Sequence, residues 1–197
     1  TQVNGETHVG TVLIDPATGQ IDPSWTLQAR TGTNGGRVSV KSIKIINNHI
    51  YLGGIFTHFQ GNGASWTYAR NGARLDINGK PDRTWNPEFN GTVIDIDVDE
   101  NEAYYYAAGY FTRAHNRVVE NAGRLSTAAG AELDQSWTFR HSYLIGKYQQ
   151  TVTAANGRVY FGGSQHSLFG YNSDSMTRTS GSITMNNGGD LQASTRS

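Results

Sequence analysis

Two stretches of the sequence, residues 57–68 and 112–121, combine aromatic, imidazole and amide side chains in a pattern that is suited to binding a sugar. Aromatic rings stack on the apolar face of a sugar ring, and amide and imidazole nitrogens hydrogen-bond to its hydroxyl groups. We therefore predict a ligand-binding site in these stretches, with no catalytic residue. The candidate residues are His58, Asn62, Trp66, Tyr68, His115 and Asn116.

Trp66 is the strongest candidate for stacking, because it lies in a glycine-rich segment, residues 61–68, with serine and asparagine close by. Two interpretations of this ring are open: it contacts a ligand, or it covers the edge of a sheet. The two stretches vary between repeats while the motifs around them are constant. Variable loops on a rigid scaffold are where binding sites concentrate.

Three alternating aspartates, Asp95, Asp97 and Asp99, begin like a calcium-binding loop. Such a loop requires a glycine at its sixth position and a glutamate at its twelfth, and here Glu100 and Tyr106 occupy those positions. The alternation also fits a β-strand with one polar face. We therefore predict that these carboxylates lie on a solvated face or at a sheet edge and hold no metal ion.

Other motifs for catalysis or metal binding are absent from the sequence. It has no cysteine, and its six histidines lack the local spacing of a zinc site. Nucleophile elbows, phosphate loops and dinucleotide fingerprints are also missing, so no cofactor is predicted. Glu88, Glu102, Glu120 and Glu132 could act as glycosidase carboxylates only if the fold brings two of them together.

The composition indicates an all-β protein with many turns. Glycine accounts for 24 of the 197 residues, and aromatic residues make up 11%. The 16 basic residues balance 16 acidic ones, whereas a surface that binds nucleic acid needs an excess of positive charge. No apolar run approaches the roughly 18 residues of a transmembrane helix. We therefore predict neither a nucleic-acid partner nor a membrane span.

Three motifs recur along the chain in the same order, which predicts a repeat architecture. The first motif, Asp-x-Ser/Thr-Trp, ends at Trp25, Trp85 and Trp137, and the intervals from 25 to 85 to 137 are 60 and 52 residues. A large aromatic residue that recurs in register is typical of the core between repeats. We predict that these three tryptophans are buried in equivalent places.

The second motif ends a strand with a pair of small residues, the last of which is Gly54, Gly109 or Gly163. A glycine inside a strand marks a close approach of another part of the backbone, so a structural role is predicted for all three. The third motif is Arg-Leu, at residues 74–75 and 124–125, and it precedes the second and third tryptophan motifs.

Each repeat also contains a predicted β-hairpin. Residues 93–98 alternate between apolar and acidic side chains, residues 99–102 form a polar turn, and residues 103–109 form the return strand. The corresponding strands of the other repeats are 38–46 with 49–54 and 150–155 with 159–163, the last pair joined by the turn dipeptide Asn-Gly.

Units of about 40–50 residues with four short antiparallel strands are typical of β-propeller blades. We predict one propeller segment, 1–197, with blades at about 10–72, 73–122 and 123–175, and with 176–197 as the start of a further blade or an irregular tail. Closed propellers have about four to eight blades. Three blades therefore indicate a piece of a larger propeller or an incomplete one.

At these motifs the sequence resembles the delta-60 repeat β-propeller family, over about residues 10–163. The family pattern is Gly-Gly-x-Phe-Thr, a variable loop, Arg-Leu, an Asn/Asp-Gly turn and Asp-x-Ser/Thr-Trp/Phe. The matching segments here are 53–57, 74–79, 82–85, 109–112, 124–125 and 134–137. The resemblance implies a propeller fold on a secreted or surface protein of bacteria, or on a phage tail protein, and implies no catalytic residue.

The leading functional hypothesis is a non-catalytic extracellular or cell-surface scaffold for interaction or adhesion. Its partner would be a glycan or a protein, including the rest of the propeller. One alternative is a segment of a secreted glycan-active enzyme. The other is a structural subunit of a phage tail tip or a surface filament, in which case the chain belongs to a virion.

Overall fold

The computed structural model describes residues 2–32, 36–141, 147–166 and 176–191. These residues contain eighteen β-strands and no helix, so the all-β prediction is confirmed, and no described segment offers a helix that could cross a membrane. The strands are β1 Gln2–Val3, β2 Glu6–Thr7, β3 Gln28–Arg30, β4 Ser39–Ile46, β5 His49–Ile55, β6 His58–Gln60, β7 Thr67–Tyr68, β8 Gly72–Asp76, β9 Val93–Val98, β10 Tyr104–Gly109, β11 Arg113–Ala114, β12 Arg117–Val118, β13 Ala122–Ser126, β14 Thr138–His141, β15 Lys147–Ala155, β16 Arg158–His166, β17 Met176–Thr184 and β18 Gly188–Leu191.

Three antiparallel hairpins, β4–β5, β9–β10 and β15–β16, each form one side of a larger sheet, with β4, β9 and β15 at the sheet edge. We call these larger sheets sheet 1 (order β4-β5-β8), sheet 2 (β9-β10-β13) and sheet 3 (β14-β18-β17-β16-β15). The turn of the third hairpin has positive φ at both Asn156 and Gly157, as a tight two-residue hairpin turn requires. All three predicted hairpins are therefore present in the structure.

Sheets 1 and 2 have three strands each, not the four predicted for a blade. The fourth position holds single antiparallel bridges, Leu75 to Pro81 and Leu125 to Leu133. Pro81 has no N–H group and cannot extend a ladder. The chain turns away immediately after each bridge, because the Asp82 and Asp134 carboxylates accept the backbone N–H two residues further on.

The observed sheets extend past the predicted repeat boundaries. The boundaries after residues 72 and 122 fall inside β8 and β13, which complete sheets 1 and 2. Strands β17 and β18 belong to sheet 3, in which β18 also pairs in parallel with β14. Most of the predicted final segment thus forms part of the third sheet, and residues 192–197 lie outside the described residues.

The hydrophobic core consists of three clusters that are related to the sheets. The first places Leu27 and Phe59 against sheet 1. The second packs Tyr51 of sheet 1 against sheet 2, and the third packs Tyr106 of sheet 2 against Val152 of sheet 3. Sheets 1, 2 and 3 therefore pack one after another in chain order, with a buried layer between each neighbouring pair.

Candidate functional site

Part of the predicted binding site lies on a small antiparallel sheet of three short strands, in the order β3-β6-β7. Its inner face is buried, because Ala29, Phe59 and Thr67 pack into the core. Since side chains alternate between the two faces of a strand, the neighbouring residues point outward. Arg30 pairs with His58, and His58 pairs with Tyr68, so the three side chains form one row across the outer face.

Trp66, two residues before Tyr68, joins this row. The Arg30 guanidinium carbon lies 4.2 Å from the centre of the Trp66 ring, within cation–π distance. The His58 and Tyr68 rings meet edge to face with their centres 5.3 Å apart. Tyr68 is 44% exposed and Trp66 is half-buried. We call Arg30, His58, Trp66 and Tyr68 the aromatic face.

The electrostatics of the aromatic face are set by Arg30. Burial, together with the positive charge of Arg30, lowers the pKa of His58 below its ordinary value of 6.5. The imidazole is therefore neutral at pH 7, and its Nδ1 lies 2.8 Å from the Thr57 hydroxyl oxygen. Arg30 has no ion-pair partner among the described residues. The face therefore offers an unneutralised cation beside two aromatic rings.

The other three predicted residues lie elsewhere. The backbone N–H of Asn62 donates to the Thr26 hydroxyl, in the turn before β7. His115 and Asn116 form the turn between β11 and β12, both with positive φ. The Nε2 atom of His115 lies 3.0 Å from the carbonyl oxygen of Ala131. The structure thus brings together His58, Trp66 and Tyr68 of the predicted set, and none of these other residues lies in that row.

The predicted alternatives for the aspartates are a solvated face or a sheet edge. Asp95 and Asp97 lie on β9, which is an edge strand of sheet 2, but Asp97 and Asp99 are buried and not solvated. The carboxylate of Asp97 accepts hydrogen bonds from the Lys44 ammonium at 2.7 Å and from the backbone N–H of Ala154 at 2.8 Å. Asp99 accepts from the N–H groups of Ala103 and Tyr104 within its own hairpin turn. Both carboxylates are thus satisfied by structural partners.

Asp95 has the same cross-linking role as Asp97. One of its oxygens accepts from the Ser42 hydroxyl at 2.7 Å, and the other accepts from the Thr151 hydroxyl and from the backbone N–H of Val152 at 2.8 and 2.9 Å. Asp95 and Asp97 therefore join β9 to β4 on one side and to the edge strand β15 on the other. Within the described ranges, no group of three or more histidine or acidic side chains could hold a metal ion.

Two of the recurring tryptophans have equivalent environments. Trp85 and Trp137 are buried, and their indole N–H groups donate to the carbonyls of Ser126 and Thr184, at 3.0 Å each. Both acceptors belong to the sheet that follows in the chain. Trp25 is only half-buried, and its indole N–H donates instead to the Thr11 hydroxyl at 3.1 Å.

An ion pair that sequence reasoning missed joins the Arg-Leu and tryptophan motifs. Two nitrogens of Arg74 contact Asp82 Oδ2, at 2.9 and 2.6 Å, and Arg124 contacts Asp134 in the same way. The Arg74 guanidinium also donates to the carbonyl of Thr127, the residue that follows β13 of sheet 2. The signal was present in the sequence, because each arginine precedes its motif's aspartate by a similar interval, 8 and 10 residues.

Two further structural residues, Asn71 and Asn121, also escaped prediction, although each lies three residues before a motif arginine. Both adopt positive φ, which asparagine tolerates well. Their backbone carbonyls accept the N–H groups of Gly54 and Gly109, at 3.1 and 2.9 Å. These contacts tie the end of the glycine motif to the start of the Arg-Leu strand in each of the two sheets.

The glycines of the second motif lie where a strand passes very close to its neighbour. A Cβ atom at Gly54 would lie 2.1 Å from the carbonyl oxygen of Ser39, and one at Gly109 would lie 2.2 Å from that of Thr92. Gly163 is half-buried and pairs with Gln149 next to the corresponding bulge in sheet 3. No side chain fits at Gly54 or Gly109 without a shift of the backbone.

Of the four glutamates considered as glycosidase carboxylates, Glu102 has three hydrogen-bond partners. Its carboxylate contacts His49 Nδ1 at 2.5 Å, the Tyr51 hydroxyl at 2.9 Å and the Asn47 amide at 2.8 Å. Burial favours the neutral acid, but these hydrogen bonds outweigh it and hold the pKa of Glu102 below its ordinary range. A general acid requires a raised pKa, so Glu102 fits a structural role between sheets 1 and 2 better than a catalytic one.

Comparison with known proteins adds no assignment at this point. No protein-family model matches the sequence, and no curated protein matches it. The function is therefore inferred from the sheets and from the aromatic face.

Proposed function

We propose that the chain is a segment of a β-propeller of the delta-60 repeat type, in which sheets 1, 2 and 3 are successive blades. The support is the common register of the three hairpins. In each hairpin, the first strand has a one-residue bulge. The second small residue of the glycine motif pairs with the residue before the bulge, and the first small residue pairs with the residue after it. The unpaired bulge residues are Lys41, Ile94 and Gln150.

The contacts between hairpins also support this arrangement. Counted from the glycine motif, Ser42, Asp95 and Thr151 occupy the same position in β4, β9 and β15. The Asp95 carboxylate hydrogen-bonds to both of the others. Equivalent residues of three hairpins meet in this way when the first strands of successive blades line a common axis.

We propose that this segment acts as a non-catalytic binding scaffold at the cell surface or outside the cell. The observation that carries the proposal is the aromatic face, in which Tyr68 and Trp66 offer ring surface next to a cation without an ion-pair partner. The location follows from the family resemblance and the function from the face. The face is fixed on a small sheet whose other side is buried, so it is rigid before a ligand binds.

The ligand class that fits the aromatic face best is a glycan that carries carboxylate or sulfate groups. The exposed ring of Tyr68 would stack on a sugar, and Arg30 would donate charge-assisted hydrogen bonds to the acidic group. A neutral His58 adds a polar contact without competing for the anion. Arg30 is held in position by the Trp66 ring beneath it.

An array of neutral and acidic oligosaccharides, probed with the whole chain, tests this function. We expect binding to acidic glycans, weakened by about tenfold or more in Tyr68→Ala and in Arg30→Gln, because a stacking contact and a charge-assisted hydrogen bond are each of that order. Tyr110→Ala is the matched control, since Tyr110 is also an exposed tyrosine but lies outside the face. Failure of the wild type to bind any glycan, or equal loss in the control, contradicts the proposal.

The same assay has an expected pH dependence. Protonation of His58 adds positive charge to the face, so affinity for an acidic glycan should rise as the pH falls below the ordinary imidazole value of 6.5. His58→Gln should abolish the rise. If the affinity of the wild type decreases as the pH is lowered, the imidazole does not face the acidic group.

A further inference from the structure

The three hairpins bury equivalent apolar positions to different extents. In β9 the two apolar residues Ile96 and Val98 are buried, at 5% and 2% exposed. Their counterparts in β15, Val152 and Ala154, are also buried. The counterparts in β4, Ile43 and Ile45, are 50% and 60% exposed. The register fixes this equivalence, because the pairs Ile43–Leu52, Ile96–Ala107 and Val152–Phe161 all lie at the same distance from the glycine motif.

The preceding sheet provides the cover in sheets 2 and 3. Tyr51 of sheet 1 shares a buried cluster with Ile96 and Val98. Gly53 lies so close to this layer that a Cβ atom there would be 2.7 Å from the Ile96 side chain. Tyr106 takes the place of Tyr51 over sheet 3. A tyrosine and a small residue, two positions apart on the second strand, thus cover the first strand of the following sheet.

Among the residues that the structure describes, the corresponding face of sheet 1 has no such cover. Residues 2–32 contain only the short strands β1, β2 and β3. Leu27 packs in a cluster with Ile50 and Leu52 of β5, and neither Ile43 nor Ile45 belongs to that cluster. Trp25 also lacks the contact with a tyrosine that the other two motif tryptophans make. The Trp85 ring lies 5.4 Å from that of Tyr51, whereas Trp25 is half-buried and no ring contact joins it to a tyrosine among the described residues. We call Ile43 and Ile45 the open face.

The opposite end of the row of sheets presents the matching surface. Tyr160 of β16 occupies the position of Tyr51 and Tyr106 but is 44% exposed, whereas those two are fully buried. Gly162 occupies the position of Gly53. The chain therefore carries both halves of the contact that already joins its own sheets. Ile43, Ile45 and Tyr160 are exposed, and Gly162 is half-buried.

We propose that two copies of this chain associate head to tail, with Tyr160 and Gly162 of one copy packed on Ile43 and Ile45 of the other. The proposal rests on the repeated contact between sheets and not on glycan binding. Two copies would supply six sheets, within the range of about four to eight for a closed propeller, and a ring needs complementary ends such as these.

The association should be reversible. At the positions of Asp95 and Asp97, which bind the strands on either side of β9, β4 has Ser42 and Lys44 and β15 has Thr151 and Thr153. The contact between copies therefore keeps the apolar layer but lacks the carboxylates that cross-link the sheets within one chain. We expect a dimer whose population depends on concentration.

Sedimentation velocity on the whole chain over a range of concentrations tests the proposal. We expect the mass to rise from 21.5 kDa toward twice that value. Ile45→Glu should weaken association by at least about tenfold, since it replaces a buried apolar side chain with a charge. Val118→Glu is the matched control, because Val118 is an exposed apolar strand residue outside the open face, and it should dimerise as the wild type does.

Complementation then identifies the orientation of the two copies. Ile45→Glu keeps a normal Tyr160 surface, and Tyr160→Glu keeps a normal open face. Each variant alone should be monomeric, and an equimolar mixture should recover dimer through one intact contact. A wild type that stays monomeric at every concentration overturns the proposal, as does a mixture that does not recover. Glycan binding by the monomer is unaffected in either case, so the two proposals fail separately.

Discussion

Tyr51 and Tyr106 occupy the same position in consecutive sheets but differ in their hydrogen bonding. The Tyr51 hydroxyl donates to Glu102 at 2.9 Å, and burial raises its pKa. The Tyr106 hydroxyl is buried and, in the described structure, makes no hydrogen bond of normal geometry, although the Arg124 guanidinium lies close enough to act on its pKa. The turn of the next hairpin carries Asn156, whereas the turn of the β9–β10 hairpin carries Glu102, the partner of Tyr51. Arg124, which lies near Tyr106, donates to Asp134 and to the carbonyl of Met185. Sheet 2 therefore lacks a hydrogen bond that sheet 1 makes.

This difference predicts opposite outcomes for the same substitution. Tyr51→Phe should reduce the free energy of unfolding by about 1–2 kcal/mol, because Glu102 loses a donor inside a buried network. Tyr106→Phe should be neutral or slightly stabilising, because it removes an unsatisfied buried hydroxyl. Urea unfolding of the two variants, followed by tryptophan fluorescence, makes the comparison. A loss of more than about 1 kcal/mol in Tyr106→Phe would mean that the hydroxyl has a partner.

At the scale of the strand, the glycine motif sets the shape of each hairpin. Gly54 and Gly109 pair at the residue before the bulge in the facing strand, where the two backbones come closest. A bulge increases the local twist of a strand and re-aims the side chains that follow it. The residues directly after the bulge are Ser42 and Asp95, which meet in the contact between sheets.

A pair of alanine substitutions separates close approach from loss of chain flexibility. Gly109→Ala should destabilise the protein by about 1–3 kcal/mol, because its Cβ would clash with the Thr92 carbonyl oxygen and the backbone must shift. Gly123→Ala in the neighbouring strand β13 is the matched control: its Cβ meets nothing closer than 3.5 Å, and it should be neutral or slightly stabilising. Equal melting temperatures for the two variants would show that the approach at Gly109 is relaxed at little cost.

The strands differ in how far the sequence predicts them. The hairpins follow from alternation and turn residues within one segment, so local reasoning locates 93–98 and 103–109 closely. The surroundings of Asp95 and Asp97 could not be predicted from the local sequence. The alternation of residues 93–98 shows which side chains share a face of the strand, but it does not show what packs against that face. The partners of the two aspartates are edge strands of other sheets, more than 50 residues away in the chain. The aromatic face shows the same limit, since Arg30 reaches His58 and Trp66 only through strand pairing.

At the scale of the whole molecule, stability depends on how strongly neighbouring sheets are coupled. Because sheets 1, 2 and 3 pack one after another, a single contact between neighbouring sheets can control the cooperativity of unfolding. Between sheets 2 and 3 this contact combines the apolar layer of Tyr106 and Val152 with two carboxylates that accept the N–H groups of Val152 and Ala154. These acceptors also cover the exposed edge of β15, which would otherwise be open to pairing with another chain.

The Asp97 carboxylate should therefore control whether sheet 3 unfolds with the rest of the molecule. Asp97→Ala leaves the Lys44 ammonium and the Ala154 N–H without their acceptor. We expect the free energy of unfolding to fall by about 3 kcal/mol. This is the lower end for breaking a buried ion pair, because Lys44 is partly exposed. Native-state hydrogen exchange should then show the amides of β15 and β16 opening more often than those of β4 and β5. Asp76→Ala is the control, since Asp76 accepts two N–H groups within its own turn only. If protection falls equally in sheets 1 and 3, Asp97 stabilises the whole fold and does not act as the coupling between its neighbours.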